Sequence, residues 1–314
     1  MYREKTIGLV LPAHNEEKLI SRTLEAVPEF VDRVYVVDDC SSDNTRVIVS
    51  DLAEIDRRIS LVCHEVNQGP GGAIATGYLR ASEDACEIVV VAGADFQMPF
   101  EQMGDLIDPI VDGDVHYTKG NRFLMGRNTF EDMPRIRLMA NTLLSLVTKI
   151  SSGYYKVFDV VDGYTAISKT AIDVIEWDRV WKGYGYPMDF LVHLNVYGFK
   201  VKDVPRRAIY LEGERQSQIN GVSYAVRVAP MLFKRFFWRI WTKYVFGDFH
   251  PLIFLYFISF LLIPCGLGLA GYIVFSKLQG MPPSGATAVA CALVLNIGIQ
   301  SLFFAMLFEM LESD

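Results

Sequence analysis

Short apolar β-forming runs recur through the first 120 residues, and each stops abruptly in a polar, turn-forming loop. The clearest is Ile88 to Phe100, IVVVAGADFQMPF, in which Ile88, Val89, Val90, Val91 and Ala92 lead into Gly93, Ala94, Asp95 and Gln97. A run that is apolar at every position suits a strand buried on both faces of a sheet. In an open parallel α/β sheet, ligands collect at the carboxyl ends of the strands, so Asp95 would face a crevice. The competing reading is that Asp95 only caps a helix beginning near Pro99.

Thr6–Leu11, Arg33–Val37, Ile59–Cys63, Glu87–Ala92 and Val115–Thr118 read as strands, with helices near Glu16–Ala26, Asn44–Leu52, Gly72–Ala81 and Phe100–Val111. Such alternation implies βαβ units and a mostly parallel sheet with helices on both faces. The loops PAHNEE, DDCSSDNT, NQGPGGA and GADFQMP should then share one edge and form a site. It is not a dinucleotide fingerprint, because Gly69, Gly71 and Gly72 do not satisfy GxGxxG, and no GxxxxGK[ST] occurs. It offers the carboxylates Glu16, Asp38, Asp39 and Asp95 beside helix N-termini. Helix N-termini suit phosphate, and carboxylates suit ribose hydroxyls, a base N–H or a divalent cation. Together they fit a nucleotide diphosphate with a metal. Asp43 and Asn44 read rather as turn and cap residues.

Composition narrows the alternatives. Five cysteines form no CxxC and sit in apolar contexts, which suits reduced thiols. A net charge of −7 without a basic stripe in the first two hundred residues argues against nucleic acid as a partner. The charged MYREK start runs into an apolar stretch too short for a signal peptide, so the first domain is expected to stay where it is made.

VLPAHNE (Val10–Glu16), VVDDCSSDNT (Val36–Thr45), NQGPGGAIATG (Asn67–Gly77) and GADFQMP resemble, in order and spacing, the nucleotide-binding half of the inverting GT-A glycosyltransferases of family 2. KGNRF (Lys119–Phe123), MPRIRLMAN (Met133–Asn141), VDGYTAI (Val161–Ile167) and YPMDFLVHL (Tyr186–Leu194) look like the branch that includes dolichyl-phosphate mannosyltransferase and other polyprenyl-phosphate glycosyltransferases. The resemblance covers about residues 6–220 and implies a Rossmann-like GT-A α/β domain. It implies that Pro12, Asn15, Glu16 and Asp39, with Asp38, Asn67 and Gly72 in the same loops, hold the nucleoside end. It also implies that Asp95 and Gln97 face a Mg²⁺ or Mn²⁺ ion and the diphosphate. Arg122 and Arg137 would bind phosphates, Asn141 stands where relatives often have a serine near the acceptor, and Arg215 in LEGERQSQIN would reach phosphate. A leaving diphosphate must lose charge density into cations, and arginine forks onto phosphate oxygens. On residues alone, Arg137 reads equally as a solvated helix face.

Relatives usually carry Asp-x-Asp at this strand end, whereas Gly93 holds the first position here. The ion would then bind through Asp95, Gln97 and the diphosphate, or activity would be weakened or lost; restoring Asp at 93 should tighten metal dependence. The connection from Lys119 to Pro134 reads as a flap near the acceptor. Asp189, delivered by GYGYPMD, is either a helix cap or a general base, and a base is needed only if the acceptor is a hydroxyl.

Beyond residue 222 the pattern changes. Val222 to Phe246 mixes Lys234, Arg235, Arg239 and Lys243 with Phe233, Phe236, Phe237, Trp238, Trp241 and Tyr244, as in a helix lying among lipid headgroups. Pro251–Phe275 and Gly285–Phe308 carry no charge, and at 1.5 Å per residue each reaches roughly 35 Å, enough to cross a bilayer. The expected organisation is a GT-A domain over 1–221, an amphipathic juxtamembrane helix over 222–249 and a two-helix transmembrane hairpin over 250–314. Basic residues before the first span place the catalytic domain in the cytoplasm by the positive-inside rule. Gly266, Gly268 and Gly271 would permit homo-oligomerisation by close helix approach. The expected activity is transfer of a sugar from a nucleotide sugar to a lipid acceptor, a polyprenyl phosphate, at the cytoplasmic face of the cell membrane. Transfer to a hydroxyl with Asp189 as base, and nucleotide-sugar binding without turnover motivated by Gly93, are the competing readings.

Overall fold

The computed structural model describes residues 1–125, 135–207, 209, 221–247, 249–281 and 283–312, the side chains of 135–138, 140, 221–223, 225 and 312 excepted. The chain forms two compact units, Met1–Phe236 and Phe237–Asp314.

In the first unit, seven strands are β1 (Ile7–Ala13), β2 (Arg33–Asp38), β3 (Ile59–Cys63), β4 (Ile88–Val91), β5 (Tyr117–Asn121), β6 (Thr165–Ser168) and β7 (Val201–Pro205). They lie in the order β3-β2-β1-β4-β6-β5-β7. β1 to β4 are mutually parallel, and β5 pairs parallel with β7. β6 runs antiparallel between β4 and β5. The carboxyl ends of the other six strands therefore share one edge with the amino end of β6.

Strict alternation divides the core between the two faces. Val10, Tyr35, Val37, Val89 and Val91 point to one cluster, and Leu9, Leu11, Val34, Val36 and Val90 to the other. Helix α3 (Pro70–Glu83) covers the first face, while α1 (Ile20–Glu25), α2 (Thr45–Ile55) and α4 (Met103–Val111) cover the second. With both faces buried, nearly every strand residue is apolar, which is why these strands read as continuous runs.

The fifth strand departs from that pattern. It extends past the expected Thr118 through Lys119, Gly120 and Asn121, all buried. Lys119 donates to the carbonyls of Gly120, Phe158 and Asp159, and Asn121 donates to Asp203 at 2.6 Å. Buried polar groups survive when paired, so hydropathy alone ended this strand too early.

The remaining helices of this unit are α5 (Arg135–Ser152), α6 (Lys169–Val174), α7 (Tyr186–Val196) and α8 (Gly221–Arg239), the last crossing the boundary between units. Val228, Met231 and Leu232 of α8 bury into the first core cluster. That face of the helix is packed protein, whereas Phe233 is 66% exposed.

The second unit holds α9 (Leu252–Leu278) and α10 (Gly285–Glu312), two helices long and apolar enough to cross a membrane. Their large side chains, such as Phe254, Phe257 and Phe303, are exposed, unlike those of a soluble core helix. The α9 helix runs through Pro264. Gly266 meets Leu295, and Gly298 meets Ile263, so small residues draw the two helices together. Gly266, expected as a surface for oligomers, is thus occupied inside the hairpin. Arg239 and Glu309 form a fully buried ion pair at 2.8 Å within this unit.

Gly77 on α3 lies against β1: a Cβ there would meet Val10 Cγ1 at 2.4 Å. Gly77→Ala is expected to destabilise the first unit by about 1–3 kcal/mol through overpacking, read as a lowered midpoint of thermal unfolding with the fold retained.

Candidate active site

The edge at the strand carboxyl ends is stitched together by its own polar groups. After β1, Asn15 adopts a left-handed backbone, φ 59°, which asparagine tolerates better than most residues. Its amide donates to Ser41 Oγ at 2.9 Å, and its Oδ1 accepts from the Ser42 amide at 2.8 Å. Pro12 pairs with Val37 within the sheet. The amide of Glu16 donates to Thr45 Oγ1 at 2.9 Å, and Asp43 caps α2 by accepting from the Thr45 amide at 3.0 Å.

Asp38 and Asp39 are both buried but have different partners. Asp38 Oδ2 accepts from Arg46 Nε at 2.5 Å and from the Ser41 amide. Asp39 accepts from the amides of Gln68 and Gly69, each at 2.7 Å, and pairs with His64 Nδ1 at 2.8 Å. The Nε2 of His64 in turn meets Thr76 Oγ1 at 3.0 Å. Asn67 Nδ2 donates to the Asp39 carbonyl at 3.2 Å. Asp39 therefore fixes the glycine loop directly through its amides and reaches α3 through the buried His64, a lone histidine after β3 that carries no spacing signature in the sequence.

That loop differs from the expected anion cradle. The amides of Gly71 and Gly72, at the start of α3, donate to the carbonyl of Lys182, at 2.7 and 3.3 Å. A Cβ at Gly71 would meet the Trp181 carbonyl at 2.3 Å, and one at Gly69, where φ is +84°, the Lys182 carbonyl at 2.6 Å. The glycines admit the 181–183 strap, whose carbonyl oxygen already satisfies these helix N-terminal donors.

After β4, Asp95 accepts from the Gln97 amide at 3.2 Å. Burial pushes its carboxyl above the usual range, against the pull of the Arg206 charge. Its side chain leans over Gly93, where a Cβ would lie 2.7 Å from Asp95 Oδ1. An aspartate restored at 93 would require the Asp95 carboxylate to rotate aside.

A network of buried charges lies beside Asp95. Arg122, at the end of β5, forks onto Asp159 through Nε and Nη2, both at 2.7 Å, and its Nε lies 3.5 Å from Asp162 Oδ2. Arg206, just past β7, donates from Nε to that same Oδ2 at 2.7 Å and from Nη1 to the Gln97 carbonyl at 3.5 Å. Burial works to raise the Asp159 carboxyl, but the hydrogen bonds and charge of Arg122 prevail and hold it low. Asn141 Nδ2 reaches Asp159 at 3.4 Å. Asp159, Asp162 and Arg206 were absent from the candidate residues read from the sequence. Asp159 and Asp162 reach the edge only because β6 is antiparallel, and Arg206 only because β7 joins the sheet.

Asp189 is buried at the start of α7, and both its oxygens are engaged. Oδ1 accepts from Arg235 Nε at 2.5 Å, and Oδ2 from the Trp181 amide at 2.6 Å. It ties α7, the strap and α8 together. The side chain of Arg137 and the whole of Arg215 lie outside the described residues, as does the 126–134 part of the expected flap. Among the described residues no cluster of three histidine, cysteine or acidic side chains is arranged to hold a metal.

The glycosyl transferase family 2 model matches residues 9–175, more than half of the chain. The chain belongs to that family. This family 2 glycosyltransferase is 31% identical over 222 residues, 67% of its length and 88% of the relative's, to a UDP-N-acetylglucosamine–dolichyl-phosphate N-acetylglucosaminyltransferase of Methanococcus voltae. It is 28% identical to an undecaprenyl-phosphate mannosyltransferase of Micrococcus luteus, over 62% of its length and 80% of the relative's. Glucosyl-3-phosphoglycerate synthase from Mycobacterium tuberculosis, solved with Mn²⁺, UDP and glucosyl-3-phosphoglycerate, superposes with a TM-score of 0.53 at 19% identity, covering 74% of this chain and 80% of the synthase. At that identity the likeness establishes the GT-A fold alone.

The clamp at Asp189 gives the glycosyltransferase a pH signature. Burial, with Arg235 and Arg179 nearby, pushes the neighbouring His193 imidazole down to about 3. Its unfolded value is about 6.5, so the unfolded chain takes up protons first and stability falls as the pH drops through that value. Unfolding measured from about pH 6.5 down to about 5, above most carboxylates, should show this histidine's share of the loss grow from about 0.7 toward about 1.4 kcal/mol per pH unit, and His193→Gln should remove that share.

Proposed function

We propose that this glycosyltransferase moves a sugar, with inversion, from a nucleotide-diphosphate sugar to a polyprenyl phosphate at the cytoplasmic face of a membrane. The observation that carries the reading is the pair Arg122 and Arg206, which meet at one oxygen of Asp162: Arg206 is hydrogen-bonded to it, and Arg122, forked by Asp159, lies 3.5 Å away, with Arg206 also reaching the Gln97 carbonyl. Two guanidinium groups at the edge where donors bind suit a reaction in which both substrates carry phosphate. The matched lipid-phosphate transferases support the same acceptor class.

A phosphate acceptor is already anionic at neutral pH and attacks without a general base. A hydroxyl acceptor needs one, and the Asp189 oxygens are taken by Arg235 and the Trp181 amide. Asp189 is therefore assigned to holding α7 and α8 rather than to proton transfer.

The chain's residues fit a divalent ion in a limited way. Asp95 supplies one half-buried carboxylate that accepts from the Gln97 amide, and Gln97 stands two residues on. Mg²⁺ is commonly held by one or two carboxylates with substrate phosphates and water, so Asp95 would hold it and Gln97 would flank it. The ion would supply positive charge to the leaving diphosphate. Arg206 would orient the diphosphate from the side of β7, and Arg122, with Arg137 and Arg215, would take the acceptor phosphate. Asn15, Glu16, Asp38, Asp39 and Asn67 shape the nucleoside end through the loop contacts already described.

The two apolar helices would tether the catalytic unit to the bilayer. Lys234, Arg235, Arg239 and Lys243 precede α9, and the link to α10 is short, so the positive-inside rule keeps both ends of the hairpin cytoplasmic.

The test is turnover by the full chain in lipid nanodiscs, given a panel of nucleotide sugars and a polyprenyl phosphate, with the lipid products weighed by mass spectrometry. A phosphate-linked sugar of inverted anomeric configuration is expected, while product from hydroxyl lipids alone would reverse the acceptor assignment. Asp95→Asn should lower kcat by about 10²–10³. EDTA should abolish turnover and added Mg²⁺ or Mn²⁺ restore it, full activity in EDTA being the result that removes the metal.

A further inference from the structure

We propose that Asp162 is a positioning residue that makes the anion sites of Arg122 and Arg206 a single unit, so that a phosphate monoester and a diphosphate bind as linked ligands. The proposal deepens the function proposed above and rests on it. Asp162 is 2% exposed, and its two oxygens have separate duties. Oδ1 accepts from the Tyr164 amide at 2.9 Å, which fixes the carboxylate to the amino end of β6. Oδ2 accepts from Arg206 Nε at 2.7 Å and lies 3.5 Å from Arg122 Nε.

The arginines come from different strands, β5 and β7, and each would repel the other without the shared negative charge. Gly120 makes the junction sterically feasible. A Cβ there would meet Arg206 Cδ at 2.9 Å and Asp162 Oδ1 at 3.1 Å. The neighbouring carboxylates hold other cations: Asp159 forks onto Arg122, and Asp203 lies 3.4 Å from Lys119. Among the described contacts, only Asp162 touches both arginines.

The linkage follows from that shared oxygen. Any anion that draws Arg122 forward takes a cation from beside Oδ2 and leaves that oxygen's negative charge to Arg206, and the reverse holds equally. Linkage of this kind is reciprocal in binding free energy. Removing the charge of Asp162 would leave Arg206 without its carboxylate partner and Arg122 on the Asp159 fork with an uncompensated guanidinium facing it, so the relative placement of the two anion sites would be lost.

The probes are magnesium pyrophosphate and farnesyl phosphate, titrated calorimetrically against the full chain in nanodiscs. Asp162→Asn keeps the shape and removes the charge, and it is expected to weaken both probes by about tenfold, the scale of one charge-assisted hydrogen bond. Asp162→Glu should recover part of both affinities. In the wild type, Arg122→Lys should also weaken pyrophosphate, and in the Asp162→Asn background it should have no further effect on that probe. A merely structural role would lower the melting temperature without producing this dependence. Should Asp162→Asn fail to fold, Gly120→Ala disturbs the same junction without altering any charge and is expected to weaken both probes together. A wild type that binds neither probe overturns the proposed function and the linkage with it. A wild type that binds both, with affinities that Asp162→Asn or Gly120→Ala shifts for one probe only or for neither, overturns the linkage alone.

Discussion

A sheet buried on both faces leaves its polar chemistry one place to go. The strands of the first unit present valine, leucine and isoleucine to two separate cores, and a charge placed among them would have to be desolvated without a partner. The charged groups instead gather where the strands end, and parallel pairing puts six of those ends on one edge. The polar edge is thus a consequence of how the core is closed.

Along that edge the same rule produces two kinds of order. On the β1–β3 side, carboxylates are satisfied mostly by backbone amides: Asp39 binds the glycine loop, and Asp43 caps α2. On the β5–β7 side, they are satisfied by arginine and lysine, with Asp159, Asp162 and Asp203 facing Arg122, Arg206 and Lys119. Three acids match three bases, so the wall has little surplus charge among these residues, and a diphosphate arriving there needs compensation from elsewhere.

Several residues that resemble catalytic groups in one dimension have architectural partners in three. Asp189 sits at a helix start after a glycine-rich turn, where a base and a cap look alike; its carboxylate holds Arg235 across to α8. The glycine loop before α3 looks like a phosphate cradle, yet its amides meet the Lys182 carbonyl. In both cases the deciding partner is far away in sequence, and motif spacing carries no information about it.

The sequence alone determined the alternation of strands and helices, the edge loops that carry Asn15, Asp39 and Asp95, the family, and the two apolar helices. These follow from local composition and periodicity, which folding rarely overrides when both faces of a strand, or a whole helix, must be apolar. Tertiary structure decided the rest. The antiparallel β6 brought Asp159 and Asp162 to the edge, β7 brought Arg206, and His64 found Asp39 across the sheet. Buried ion pairs are set by which strand lies beside which, and that neighbourhood exists only once the chain has closed upon itself.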